Sequence, residues 1–209
     1  MPGALTGRLY VQRVQVVRYE ADGWGIGEVV HDGSRLLYHD HPRPRPETAS
    51  KLPQGMPEIP VITLSTNSVR VGNDFVSRFA ALLGGYFAGE RVDFSGVPID
   101  LDWCTPFQLS LVTAARAVPH GATITYGELA RRIGRPSASR AVGHANGRNP
   151  ISIIVPCHRV IGSSGQLTGY GGGLDAKRSL LKLEERVIAS AGINTISGKR
   201  SATTLAATH

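Results

Sequence analysis

Apolar residues along this chain change their spacing near residue 100. Over residues 9–19 valine-rich apolar positions alternate, imperfectly, with polar ones, the period of a strand with one buried face. Residues 24–30 and 35–38 read as two more strands, joined at the turn-prone Asp32-Gly33-Ser34. Residues 41–60 hold six prolines, three of them alternating as Pro42, Pro44 and Pro46, which predicts an extended loop. Residues 61–64 and 68–71 suit short strands. From residue 74 to 87 the period becomes helical, with Phe75, Phe79, Leu82, Leu83 and Tyr86 predicting one face packed on the sheet.

Beyond residue 103 the chain reads as punctuated helices. Thr105 and Pro106 supply an N-cap and a first-turn proline for a helix over about 107–118, with Phe107, Leu111, Ala114 and Val118 inward. Thr125-Tyr-Gly-Glu128 is a capping box for a second helix, stopped by Gly134. Arg135-Pro136 turns the chain, and Ser137 is placed to cap a third helix through about Asn146. Residues 151–155 are mostly apolar and read as a buried strand that Pro156 ends. Asp175 is placed to cap a last helix carrying Leu180, Leu181, Leu183 and Val187. The expectation is an α+β fold: a small sheet-plus-helix domain over 1–100 with its Pro-rich loop at 41–60, a mainly helical domain over 103–187, and a disordered tail over 188–209.

Charge sharpens that division. Residues 103–187 contain eleven Lys/Arg and four Asp/Glu, whereas the remainder has twelve of each, so the whole net charge of +7 lies in the second segment. A polyanion, nucleic acid first, is the implied partner, with a merely solvated basic surface as the alternative. The first twenty residues lack an apolar signal core, and no apolar run approaches the ~18 residues of a membrane span. With only Cys104 and Cys157, the chain is no disulfide scaffold, and a cytoplasmic setting is expected. His31, His39 and His41 match no standard zinc spacing, so no metal is expected, and nothing calls for a cofactor.

Two stretches carry candidate chemistry. Cys157 follows the apolar run at once and is followed by His158 and Arg159, whose positive charge would lower a thiol pKa and favour the nucleophilic thiolate. The alternative is a buried structural cysteine. The helices flanking Gly134-Arg-Pro136 have helix-turn-helix spacing. In the second, Ala138, Ala141, Gly143 and Ala145 make a slim face from which Arg140 projects. Such a face suits a nucleic-acid groove, though it also suits tight helix packing. The run Leu167-Thr-Gly-Tyr-Gly-Gly-Gly173 lacks the Lys-Ser/Thr of a phosphate loop and better suits closure over a flat ligand, with Tyr170 supplying a ring.

Taken in register, Thr105-Pro-Phe-Gln108, Ile124-Thr-Tyr-Gly-Glu-Leu-Ala130, Arg140-Ala-Val-Gly143, Asn149-Pro150, Ile154-Val-Pro-Cys-His-Arg-Val160, Leu167-Thr-Gly-Tyr-Gly-Gly-Gly-Leu174, Leu180-Leu181 and Glu184 resemble the O6-alkylguanine-DNA alkyltransferase family. The resemblance covers residues 105–184. It implies a winged helix-turn-helix-like motif and a single-turnover transfer of an alkyl group from guanine O6 in duplex DNA to Cys157. By the same resemblance His158 and Glu184 form the activating relay, His158 reaching the sulfur through a water, and Asn149 braces the cysteine turn. Tyr126, Tyr170 and backbone groups of Cys157, Val160 and Gly171 hold the flipped base. The implied DNA face comprises Thr125, Ser137, Ala138, Arg140, Ala141 and Gly143, with the slim helix in the minor groove and Arg140 filling the vacated stack. A monomer is implied, with cooperative binding on DNA left open.

The sequence departs from the family at Gly171, where some members carry serine, at Cys104, often glycine, and at Val112, commonly tryptophan. The first hundred residues match weakly. Two other readings stay open: a binder that flips alkylated guanine without reacting, against which Cys157 argues, and a cysteine hydrolase pairing Cys157 with His120 or His144, which leaves the basic helix pair unexplained.

Overall fold

In the computed structural model, which describes residues 14–43 and 74–190, the amino-terminal runs form an antiparallel sheet. Its order is β1 (Gln15–Ala21), β2 (Gly25–His31), β3 (Leu36–Arg43). The far edge of β3 is covered by distant segments. Leu36 exchanges backbone hydrogen bonds with Pro98 and Asp100, and His39 with Pro150 and Ser152. Pro42 continues this strand instead of opening a loop, as an edge strand tolerates. The rest of the Pro-rich stretch, residues 9–13 and the two short strands expected over 61–71 lie outside the described residues.

Helix α1 (Phe75–Phe87) starts at Asp74, whose carboxylate accepts from the Ser77 amide at 3.0 Å. Phe75, Phe79, Leu83 and Tyr86 are buried, and Leu82 is half-buried. Helix α2 (Pro106–Arg116) opens on Thr105, which forms a full capping box with Gln108. Along α2 Leu111, Val112 and Ala115 are buried, while Phe107 and Ala114 are only half-buried. The inward face is therefore turned by about one residue from the expected one.

The pair β4 (Ile124–Thr125) and β5 (Val160–Ile161) is parallel, and Thr125 also caps α3 (Tyr126–Arg132) through the box with Glu128. Gly134 leaves α3 at φ +70, the left-handed conformation that ends helices on glycine. Helix α4 (Ser139–Gly147) follows. Its N-cap is Ala138 with no side-chain hydrogen bond, so Ser137 does not cap it and stands exposed. Helix α5 (Leu174–Ser190) begins one residue before Asp175, which sits in the first turn instead of capping it. Val187 and Ile188 are buried, and that carries the helix through residues 188–190, where a tail was expected. Among the described residues no helix is long and apolar enough to cross a membrane.

Two apolar clusters hold these parts. The larger joins Val17, Leu36, Phe79 and Tyr86 to Val112, Ala115, Ile151, Ile154 and Leu180. The smaller, with Leu111, Val118, Leu129, Val142 and Val160, lies under α2, α3 and α4. Full burial of such side chains stabilises by roughly 1.5–3 kcal/mol each. Cys157 therefore stands between Val155 of one cluster and Val160 of the other, on backbone anchored at both ends.

Candidate active site

The apolar run before Cys157 is a turn, not the expected strand. Ile153 has φ +69, a region that a β-branched residue adopts only under constraint. Ile154 N donates to Ser152 O at 2.8 Å, Val155 N to Ile151 O at 3.0 Å and Cys157 N to Val155 O at 2.7 Å. Asn149 braces this turn from within. Its amide nitrogen lies 2.8 Å from Val155 O and 3.2 Å from Cys157 Sγ, and its oxygen accepts from Ile151 N at 3.1 Å. Cys157 then opens a short 3-10 turn, Cys157–Arg159. Asn146, on the last turn of α4, donates to Cys157 O at 3.1 Å.

His158 and Glu184 meet in the interior with no exposed surface, His158 Nε2 lying 2.8 Å from Glu184 Oε1. A carboxylate only accepts, so Nε2 carries the proton and Nδ1 is the basic nitrogen. Nδ1 is buried and has no hydrogen-bond partner among the described residues. Three further donors converge on Glu184. Arg159 spans both oxygens, with Nη2 at 2.8 Å from Oε1 and Nε at 3.0 Å from Oε2. Tyr86 Oη donates to Oε1 at 2.9 Å, and Gly121 N to Oε2 at 2.9 Å. Gly121 sits at φ +76, and a Cβ there would collide with Ile188, so only glycine brings this amide to the carboxylate.

Burial alone would raise the Glu184 carboxyl, but His158 and Arg159 reverse that and hold it well below the usual carboxylate range. Burial lowers the His158 imidazole despite Glu184, which favours the neutral ring. The thiol behaves against expectation. Burial pushes Cys157 up, and the Asn149 hydrogen bond and the Lys177 charge only partly offset it. Arg159, expected to help the sulfur, is turned away and committed to Glu184 and to Val118 O at 2.7 Å.

Lys177 is the side-chain cation whose charge acts to lower the thiol, and sequence reasoning missed it. Its ammonium is fully buried, donates to Val160 O at 2.6 Å and Thr168 O at 2.9 Å, and lies 5.8 Å from the centre of the Tyr126 ring. Asn146, Tyr86 and the true role of Arg159 were missed as well. None has a local motif, since their partners lie 11 to 98 residues away.

The structure pairs Cys157 with a half-buried Asn149, and His158 with Glu184 in the interior. Tyr126 is half-buried, its hydroxyl donating to Thr168 O at 2.9 Å and its ring facing Gly143. The Val160 carbonyl is occupied by Lys177. Tyr170 packs on His41 of β3 with ring centres 5.4 Å apart, and Gly171 is exposed beside it. Arg140, Ser137 and Ala141 are exposed on the α3–α4 corner, while Ala138, Gly143 and Thr125 are partly covered. His144 is exposed on α4, and His120 is buried 5.9 Å from the Tyr86 ring, within the electrostatic reach of Glu184. His31 Nδ1 accepts from Gly33 N, and His39 is bonded to Tyr19 and Ser152.

Comparison with known proteins follows the same outline. The family described as 6-O-methylguanine DNA methyltransferase, DNA binding domain, matches residues 106–192. The methylated-DNA–protein-cysteine methyltransferase of Mycolicibacterium paratuberculosis is 58% identical over 104 residues. That match covers 50% of this chain and spans 62% of the relative's length. The corresponding protein of Methanosarcina acetivorans is 55% identical over 111 residues, 53% of this chain and 70% of its own. The crystal structure of Mycobacterium tuberculosis O6-methylguanine methyltransferase superposes with a TM-score of 0.64 at 38% identity, over 83% of this chain and 93% of that one. The crystal structure of Mycobacterium tuberculosis OGT in complex with DNA gives 0.64 at 37% identity, over 83% and 94%.

Proposed function

The chain belongs to the methylated-DNA–protein-cysteine methyltransferase family, and from that premise we propose that it repairs DNA by moving an alkyl group from guanine O6 onto its own Cys157, once per molecule. The observation that carries this reading is the buried constellation of Cys157 on Asn149 and His158 on Glu184. A thiol whose pKa is raised by burial needs a base, and His158 of the next position offers a buried Nδ1 that has no hydrogen-bond partner among the described residues.

The thiol proton passes to His158 through a bridging water. Glu184, locked by Arg159, stabilises the imidazolium that results. The sulfur attacks the alkyl carbon, the carbon–O6 bond breaks, and its electron pair leaves with the guanine. The guanine recovers a proton from the relay, so the charges close. The sulfur ends as a thioether, which is a poor leaving group, so no step restores the thiol and each molecule acts once.

O6 is out of reach inside a duplex, so the nucleotide must swing out of the stack. The exposed corner of α3 and α4 suits that task. The small residues Ala138, Ala141 and Gly143 let α4 approach the minor groove, and Arg140 is long enough to fill the gap the base leaves. Tyr126 and Tyr170 flank the place where the guanine would lie. Five arginines on or beside these helices, Arg131, Arg132, Arg135, Arg140 and Arg148, are exposed to phosphate. Free cysteines at 104 and 157 fit a reducing cytoplasm.

The test is intact-protein mass after incubation with a duplex containing one O6-methylguanine, beside Cys157→Ser. One methyl group gained per protein, mapped to Cys157 and absent in the variant, is the expected result. Tight binding without a mass change would replace the transferase by a non-reacting damage binder.

A further inference from the structure

We propose that His39, a residue of the amino-terminal sheet, is a positioning residue for Cys157, holding the strained turn at 151–155 in the form that seats the sulfur against Asn149. The inference rests on alkyl transfer as the reaction, and its geometry stands on the fold alone.

His39 is 1% exposed and makes six hydrogen bonds among the described residues, five of them to the segment leading to the cysteine. Its amide donates to Pro150 O at 2.9 Å, and its carbonyl accepts from Ser152 N and Ser152 Oγ, each at 3.1 Å. Its ring Nδ1 lies 2.7 Å from Ser152 O and its Nε2 2.8 Å from Tyr19 Oη. A carbonyl cannot donate, so Nδ1 carries the proton. Nε2 is then the acceptor, and the Tyr19 hydroxyl donates to it. The tautomer is fixed from both sides. The ring is also clamped, stacked on Tyr19 at 5.7 Å and edge-on to Phe79 at 5.8 Å.

The turn needs such a clamp. A non-glycine residue in the left-handed region costs about 1–3 kcal/mol and persists only where its surroundings over-determine it. Ile153 is that residue, four positions before the nucleophile. Asn149 grips the turn from inside, through Ile151 and Val155. His39 grips it from the sheet side, through Ser152, whose carbonyl also accepts from Ile154 N at 2.8 Å. Without the imidazole, the Tyr19 hydroxyl loses its acceptor and Ser152 O keeps one donor instead of two. The turn can then relax and carry the sulfur with it. A displacement of about 1 Å at a reacting atom costs on the order of 100-fold in rate.

The experiment compares wild type, His39→Ala and His39→Asn. Asparagine places an N–H near the position of Nδ1 and can still donate to Ser152 O. Single-turnover alkyl transfer at saturating O6-methylguanine duplex is measured with duplex Kd, and in parallel the rate of Cys157 alkylation by iodoacetamide, located by peptide mass. His39→Ala is expected to slow both reactions roughly tenfold or more with Kd unchanged, and His39→Asn to recover most of the loss. Nitrogen-15 NMR of the wild type is expected to show the Nδ1–H tautomer at His39. Equal rates in all three proteins, equal losses in both variants, or an Nε2–H tautomer would overturn the proposal. If His39→Ala does not fold, the tautomer and the rates of His39→Asn decide it. A wild type that takes no methyl from DNA would sink the transferase reading alone, and the iodoacetamide rates would still judge His39.

Discussion

Glu184 Oε1 lies 2.8 Å from His158 Nε2, and neither side chain has any exposed surface. Such a pair holds only if its remaining charge is answered. Here Arg159 answers it, with Tyr86 and the Gly121 amide completing the oxygens. The carboxylate therefore does two things at once: it fixes the His158 tautomer and it neutralises a buried guanidinium.

Glu184→Gln separates those two roles from a plain hydrogen-bond loss. The amide keeps the shape but leaves Arg159 buried without a counter-charge, and breaking a buried pair costs about 3–5 kcal/mol. Tyr86→Phe removes one donor and leaves the ion pair intact, for about 0.5–1.5 kcal/mol. Urea denaturation is expected to rank Glu184→Gln as far the more damaging. In single-turnover transfer at neutral pH, Glu184→Gln should also be the slower, because the amide lacks the negative charge that stabilises the His158 imidazolium. Equal stabilities in the two variants would show that the Arg159 pair is not what anchors this centre.

Buried neutral histidines make the fold sensitive to acid. Burial lowers His39 from 6.5 to about 4, and the same cause lowers His120 and His158. A histidine with a depressed folded pKa binds a proton more readily when unfolded. Its contribution is therefore complete above about pH 6.5 and is lost as the pH falls toward 4. Each proton costs about 1.4 kcal/mol per pH unit across that window. Denaturation midpoints should fall steadily from pH 7 to pH 5, well before the Glu184 carboxylate titrates. His39→Asn should flatten the slope by about one proton. A midpoint independent of pH over that range would contradict this account.

The sequence made local punctuation legible, because its physics is local. The N-cap at Thr105 and the capping box at Thr125 and Glu128 form as read, the first gaining a reciprocal bond from Gln108, and Gly134 ends its helix. The spacing of Phe75, Phe79, Leu83 and Tyr86 predicted the buried face of α1. Residues 151–155 misled because an apolar run fits a buried strand and a buried turn equally well. What decides between them is the side chain of Asn149 and the edge of a strand over a hundred residues earlier. Arg159 misled for a related reason. Adjacency to Cys157 suggested help for the thiolate, but the 3-10 turn sends its side chain to Glu184. Lys177, whose charge does act to lower the thiol, is separated from it by a loop and looks in sequence like any helix-surface lysine.

Arg140 tests the DNA side of the proposal without touching the buried chemistry. It stands exposed on α4, beside the small residues Ala141 and Gly143. If its guanidinium fills the stack behind the flipped nucleotide, its loss penalises only substrates that must be flipped. Arg140→Ala should then slow transfer from O6-methylguanine in duplex DNA by roughly 100-fold, the size of a lost positioning effect. Transfer from free O6-benzylguanine, which has no stack to leave, should change less than about threefold if the variant's sulfur and relay are intact. Duplex affinity should weaken with salt in both proteins, with the logarithmic slope smaller in the variant by about one unit if Arg140 also meets a phosphate. Equal losses on duplex and free base would mean that Arg140 acts through the fold of the site and that base extrusion is driven from elsewhere.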